Sequence, residues 1–211
     1  MASIKDRKRI GLQTTYGLEL EVKDKDGNVI TRHAQEAKSF LPNYMKWLLS
    51  TLGVKTLSVI DLNGNAVQIN GSRLSGVNGA FLNHILAPAG NDGNGIRVGS
   101  SNQPVSPLDN NLIAFIPNGT GAGKLQYGAC DTDVNILLSG NESSFIASRT
   151  FTNASGGAVT VGEAGIVMFH YSDTSPIEDV RFLIARDAIA TPISVPDGAT
   201  LTVRYKFRIV T

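Results

Sequence analysis

From Thr200 to Val210 apolar and polar side chains alternate without a break. Leu201, Val203, Tyr205, Phe207 and Ile209 fall on one side; Thr200, Thr202, Arg204, Lys206 and Arg208 fall on the other. Successive side chains of a strand point to opposite faces, so this run predicts a strand with one buried and one basic, wet face. All five apolar residues are expected to face the core. The Pro196-Asp197-Gly198 turn sets where the strand begins. Upstream, Arg149 to Asn153 and Ala158 to Tyr171 flank Ser155-Gly156-Gly157, a spacing that reads as a hairpin.

The same patterning fills most of the remaining chain. Leu18, Leu20 and Val22 alternate with polar residues, Asp24 to Asn28 turns the chain, and Val29-Ile30-Thr31 returns it. Val54 to Leu62 and Ala66 to Ile69 read as a hairpin about Asn63-Gly64. Ile96 to Val98, Leu112 to Ile116, Leu125 to Ala129 and Val134 to Leu138 read as short strands. Ser100 to Asn111, with Pro104 and Pro107, reads as an extended surface excursion. Gly71 to Asn94 carries a weak helical pattern broken by Gly76 and Gly79 and is expected to be irregular.

One stretch has helical spacing. Leu41, Tyr44, Trp47/Leu48 and Leu52 share a face, widened by Met45 and Leu49. Ser39 is the expected N-cap, Pro42 fits the first turn, and Gly53 is the stop, which predicts a helix over residues 40–52. Ala34 to Lys38 reads as a separate short helical turn. The expected fold is all-β, a mainly antiparallel β-sandwich of jelly-roll-like kind. One principal helix packs on a single domain of residues 1–211.

Composition agrees with many strands and turns. Charged residues make up 18% of the 211 residues, below the usual share, and glycine is abundant. The net charge of +1 supplies no field to draw nucleic acid or an anionic membrane. Cys130 is the only cysteine, so no intrachain disulfide or thiolate cluster is possible. No apolar run reaches the roughly 20 residues of a membrane span. The basic segment Met1 to Ile10 lacks a following apolar stretch and reads as a solvated arm, not a signal peptide.

The last third of the chain also carries a resemblance. Arg149, Phe151, Thr152, Asn153, Ser155, Gly156, Val161, Glu163 and Gly165 form its first half. Ala185, Arg186, Asp187, Pro192, Val195, Pro196, Gly198, Leu201, Thr202, Val203 and Tyr205 form its second. Together they resemble a family of small β-rich structural proteins of tailed bacteriophages. Ser39-Phe40-Leu41 and Ile96-Arg97-Val98-Gly99 extend the likeness upstream. The resemblance implies a virion subunit made in the bacterial cytoplasm. It would bind copies of itself and other virion proteins, as capsid decoration or cement or as a neck or tail component.

The residues themselves suggest no catalytic chemistry. His33, His84 and His170 lack metal-ligand spacing, and Gly140 to Ser144 fails the nucleophile-elbow pattern. Gly119 to Lys124 resembles a phosphate loop but has Asn118 and Leu125 where the motif needs glycine and a hydroxyl residue. Asp24, Asp26 and Asn28 start like a calcium loop, but the glycine comes early and no acid closes it. Asp131, Asp133, Asn135 and Glu142 match calcium-loop spacing, with Ile136 where the glycine belongs. No cofactor or metal is therefore expected. Arg149, Asn153, Glu163, Arg186, Asp187, Gly198, Arg204, Lys206 and Arg208 stand as candidate structural or interaction residues. Glu163 and Asp187 could form a carboxylate pair only if the fold joins them. Arg186-Asp187 reads otherwise as a charge pair where a strand leaves its sheet. A module recognising host-surface carbohydrate is the alternative reading, since sandwiches bind sugars through loops. Nucleic acid is disfavoured, because the basic face of the last strand lacks aromatic platforms.

Overall fold

The fold is that of a computed structural model, which describes residues 13–37, 39–52, 56–69, 83–132, 136–171 and 179–210. The basic arm and the stretch 71–82 lie outside them. In chain order the strands are β1 (Gln13–Lys23), β2 (Val29–Ala37), β3 (Leu57–Ile60), β4 (Ala66–Ile69), β5 (Asn83–His84) and β6 (Gly95–Gly99). They continue with β7 (Gln126–Thr132), β8 (Leu137–Ser139), β9 (Glu142–Thr152), β10 (Val159–Tyr171), β11 (Asp179–Val195) and β12 (Thr200–Val210). The helix α1 is Pro42–Thr51.

Two antiparallel sheets face each other. The first runs β2-β1-β12-β9-β7, with β8 beside β7 on the same side of β9. The second runs β11-β10, with β5 and β6 following one another along the far side of β10. The hairpin β3-β4 stands apart. Alternation decides what lies between the sheets: Leu18, Leu20, Val22, Leu201, Val203 and Tyr205 meet Val161, Ile166, Met168, Phe182 and Ile184. Thus β12 is a strand with its first three apolar residues in the core. The last two depart from expectation: Phe207 is only partly buried and Ile209 is 41% exposed. The end of the strand borders a cavity between the sheets, so it has less to pack against.

The turn expected to close a hairpin instead changes sheets, and so does the turn before the last strand. Residues 153–158 carry the chain from β9 in the first sheet to β10 in the second, so Ser155-Gly156-Gly157 is a corner and not a hairpin turn. Pro196-Asp197-Gly198 returns it from β11 to β12. Glycine spacing marks a turn, but only partner choice tells a hairpin from a corner.

The helix begins two residues later than the spacing predicts. A residue before proline is pushed out of helical geometry, and Leu41 has φ −84° and ψ 161°. Leu41 is the N-cap; no side chain caps the helix, Ser39 included. Phe40 and Leu41 therefore stay extended and add to the edge of β11: Phe40 bridges Ala185, and the Leu41 amide donates to the Ile184 carbonyl at 2.9 Å. Residues 34–37 belong to β2 and are not helical. The expected apolar face is also wrong in part, since Leu52, Met45 and Leu49 are exposed. The helix is seated by a polar side chain. Asn43 Nδ2 donates to the Ile60 and Leu183 carbonyls (2.8 and 3.2 Å), and its Oδ1 accepts from the Ile60 amide (3.0 Å).

A third layer covers the outer face of the second sheet. Leu41 and Leu112 pack there on Val167 and Leu183, joined by Leu62, Val105 and Phe115. The excursion over residues 100–116 supplies most of this cover. Leu112 to Ile116 is not a strand; it makes a single bridge, Phe115 to Gly99.

Candidate interaction surface

Most candidate residues of the last third do structural work inside the chain. Asn153 ties the two corners together. Its amide donates to the Ala199 carbonyl (2.9 Å), and its carbonyl accepts from the Gly198 amide (2.8 Å). Its side chain donates to the Gly157 and Val195 carbonyls, both at 2.7 Å, and accepts from the Ser155 amide and hydroxyl. Gly198 sits at φ 78°, where a side chain would be strained. The resembling segments around Asn153 and Gly198 are thus one knot, seen from two sides.

Arg149 is 1% exposed and lies in a cage of carbonyls. Nε donates to Gly128, Nη1 to Asn94 and Ile96, and Nη2 to Pro88 and Asn91. The guanidinium also sits 4.6 Å from the Tyr127 ring centre. Burial lowers its pKa, yet arginine keeps its proton in proteins. Its role is to hold the loop of residues 88–96 onto the first sheet.

Glu163 and Arg186 form the clamp of the third layer, both fully buried. Arg186 Nε donates to Glu163 Oε2 at 2.7 Å, and Nη1 to Asp109 Oδ2 at 2.8 Å. Further bonds run to the carbonyls of Gln103 and Pro104. Glu163 accepts in addition from the amides of Ile113 and Ala114. The excursion is therefore fixed to the sheet from both ends. Gly99 is required there, because a Cβ would overlap the Glu163 carboxylate. Nearby Arg97, which sequence reasoning passed over, lies 3.6 Å from the Phe115 ring centre.

Asp187 turns the other way. The Tyr205 hydroxyl donates to its Oδ2 at 3.2 Å across the core, and burial together with that carboxylate raises the tyrosine pKa well above its usual range. The fold does not make a carboxylate pair of Glu163 and Asp187: the register sets Asp187 beside Ala164, one residue out of step with Glu163. Nor do Arg186 and Asp187 pair with each other at a strand end, since both lie within β11 and reach opposite sides.

Arg204, Lys206 and Arg208 occupy the open outer face of the first sheet. Lys206 meets Glu142 at 2.7 Å, Arg208 meets it at 3.7 Å, and Arg204 meets Glu19 at 3.8 Å. The basic stripe is thus answered by acids of neighbouring strands. The Lys206 contact, then charge proximity, holds the Glu142 carboxyl below its ordinary value.

The loops with ligand-like spacing are built as turns. Asp24 Oδ1 accepts from the amides of Asp26 and Asn28, and Oδ2 from the Asn28 side chain. Asp61 does the same for Asn63 and Asn65, so the D-x-x-G-N pattern makes one turn twice. The second calcium-like set includes Asp133 and Asn135, outside the described residues. Gly119 to Lys124 forms a bend closed by the Gly119 amide on the Leu125 carbonyl. Cys130 is buried, accepts from the Ile96 amide at 3.3 Å, and has its pKa raised by that burial. Among the described residues no group of three His, Cys, Asp or Glu could hold a metal ion, and no helix is long and apolar enough to cross a membrane.

Among the described residues an apolar surface opens at one end of the sandwich. Tyr44 and Trp47 of α1 face Phe145, Phe207 and Ile209 across a cavity of about 640 Å³ floored by Met168 and Ile184. Phe145 and Phe207 stack at 4.5 Å, while Phe40 and Tyr44 approach to 4.1 Å. Around this cavity stand Ile136, Ile209 and, on β8, Leu137 and Leu138, the last 78% exposed. The helix adds exposed Met45, Leu49 and Leu52. The run Ile136-Leu137-Leu138 was the available signal, three apolar residues that cannot all face one core. Comparison with protein families, curated proteins and solved structures found no match to this chain.

Proposed function

We propose that the protein is a non-enzymatic structural subunit of a tailed-phage virion, acting through contacts with copies of itself and other virion proteins in a symmetric assembly. It would be made in the host cytoplasm and serve as capsid decoration or cement, or as a neck or tail component. One observation carries the contact-based reading: the buried charges serve the chain's own frame, while an open apolar end remains on the surface. Exposed apolar surface marks protein contact sites. The virion setting comes from the resemblance in the last third of the chain.

The test is particle composition. Quantitative mass spectrometry and a map of purified particles should find this chain in many symmetric copies. Its absence from particles, or one copy per particle, overturns the reading. Leu138→Asp should block incorporation while leaving the melting temperature unchanged, because Leu138 touches little of its own fold. Incorporation at the normal level would remove the apolar end from the contact surface. Glycan binding abolished by Trp47→Ala, with no particle association, would favour the carbohydrate module instead.

A further inference from the structure

The sheets end in edges, and the chain itself covers most of them. Residues 39–41 pair with the outer side of β11: the Arg186 amide donates to Ser39 and the Leu41 amide to Ile184. Residues 87–90 do the same for β7, through the Ala87–Cys130 bridge and the Gly90 amide on Tyr127. Residues 114–116 cover β6, and β5 and β8 are only two and three residues long. That leaves β2, nine residues without proline, at the end of the first sheet. Among the described residues no strand pairs with its outer side. An edge of this length is a template for another strand.

The pattern on β2 selects the other strand. Arg32, Ala34 and Glu36 are exposed on the solvent face of the sheet. When two identical antiparallel strands pair about a twofold axis, one residue must stand opposite its own copy. An axis at Arg32 would set like charges together. An axis at His33 would set Ile30 against the partner's Glu36. An axis at Ala34 sets Arg32 against the partner's Glu36 twice, and His33 against the partner's Gln35 twice. The first contact pairs opposite charges. The second repeats between chains a bond already made within one, His33 to Gln35 at 2.9 Å. Arg32 binds Glu21 through Nε alone, at 2.6 Å, so its η nitrogens make no hydrogen bond among the described residues. The small Ala34 on the axis lets the backbones approach.

We propose that β2 pairs with the β2 of a second copy, antiparallel and in register about Ala34, joining the two first sheets into one continuous sheet. This deepens the self-association in the proposed function but does not depend on the virion setting. A lone strand pair buries less than the roughly 1,000 Å² of a stable interface, so the contact is weak in isolation and is reinforced within an assembly.

Cysteine cross-linking tests the register. Residues on the axis have Cα atoms about 4.5–5.5 Å apart, within disulfide reach, and a position one residue away exceeds it. Oxidised Ala34→Cys should form a covalent dimer at high yield, and His33→Cys should not. Native Cys130 is buried and supplies the background. Arg32→Glu introduced into Ala34→Cys should lower the yield severalfold, and adding Glu36→Arg should restore it, with thermal melts confirming that each variant is folded. Equal yields at 33 and 34, or no rescue, overturn the pairing. Light scattering separates the two failures. An oligomer without the Ala34 cross-link means association through another surface, and a monomer at every concentration removes self-association as well.

Discussion

The outer faces of the two sheets carry similar charges in opposite circumstances. On the first sheet, Arg204, Lys206 and Arg208 meet Glu19 and Glu142 in the open. On the second, Arg186 meets Glu163 and Asp109 with no exposure of its own side chain. The open pairs are screened by water and salt and contribute little to folding. The covered ones lost their hydration when the excursion closed over them, and they stand only because every partner is present. An arginine on an outer strand face is thus ornament on one sheet and a fastener on the other. The covering segment makes the difference.

The covered face should be the easier to break. Arg186→Met leaves Glu163 buried without its cation, and removal of one member of such a pair costs roughly 3–5 kcal/mol. Thermal unfolding should show a large drop, and limited proteolysis should cut within residues 100–116. Adding Glu163→Gln should cost less than the sum of the two single changes, since no buried charge is then stranded. Independent, additive effects would mean that the two residues do not form one unit.

A smaller loss should follow from crowding the same face without removing a charge. Gly99→Ala places a methyl group where the Glu163 carboxylate lies. Overpacking of this kind costs about 1–3 kcal/mol. A melting temperature equal to that of the native chain would show that the excursion has room to lift, against the clamp described above.

The open face should barely respond. Lys206→Gln should leave the melting temperature unchanged within error, because its partner Glu142 lies at the surface. Acid titration sharpens the point. The folded pKa of Glu142 is depressed, so its contribution is present above the ordinary value of 4.5 and is lost as pH falls below it through the lower folded value. Lys206→Gln should therefore flatten the stability profile across that acid window, so that any small deficit at neutral pH disappears below it. A deficit that persists at lower pH would assign Lys206 a role beyond this pair.

Some of this was legible in the residues. The alternation of Leu201, Val203 and Tyr205 determined a half-buried strand, because a two-residue period admits no other arrangement with a core. The turns at Asn63-Gly64 and Pro196-Asp197-Gly198 followed from residues that accept turn geometry. Pro42 even contained the helix start, since the residue before a proline resists helix; Ser39 as the expected cap and Leu41 on the apolar face drew the prediction two residues too far. Tertiary structure alone decided the rest. Whether Ser155-Gly156-Gly157 closes a hairpin or crosses between sheets depends on strand partners far away in the chain. The same holds for Arg186, whose carboxylates lie 23 and 77 residues distant, and for Phe207 and Ile209, which border a cavity shared with α1 and the opposite sheet. Local pattern determines which way a side chain points from its own backbone. What it meets there is set by the packing of segments that no short window of sequence contains.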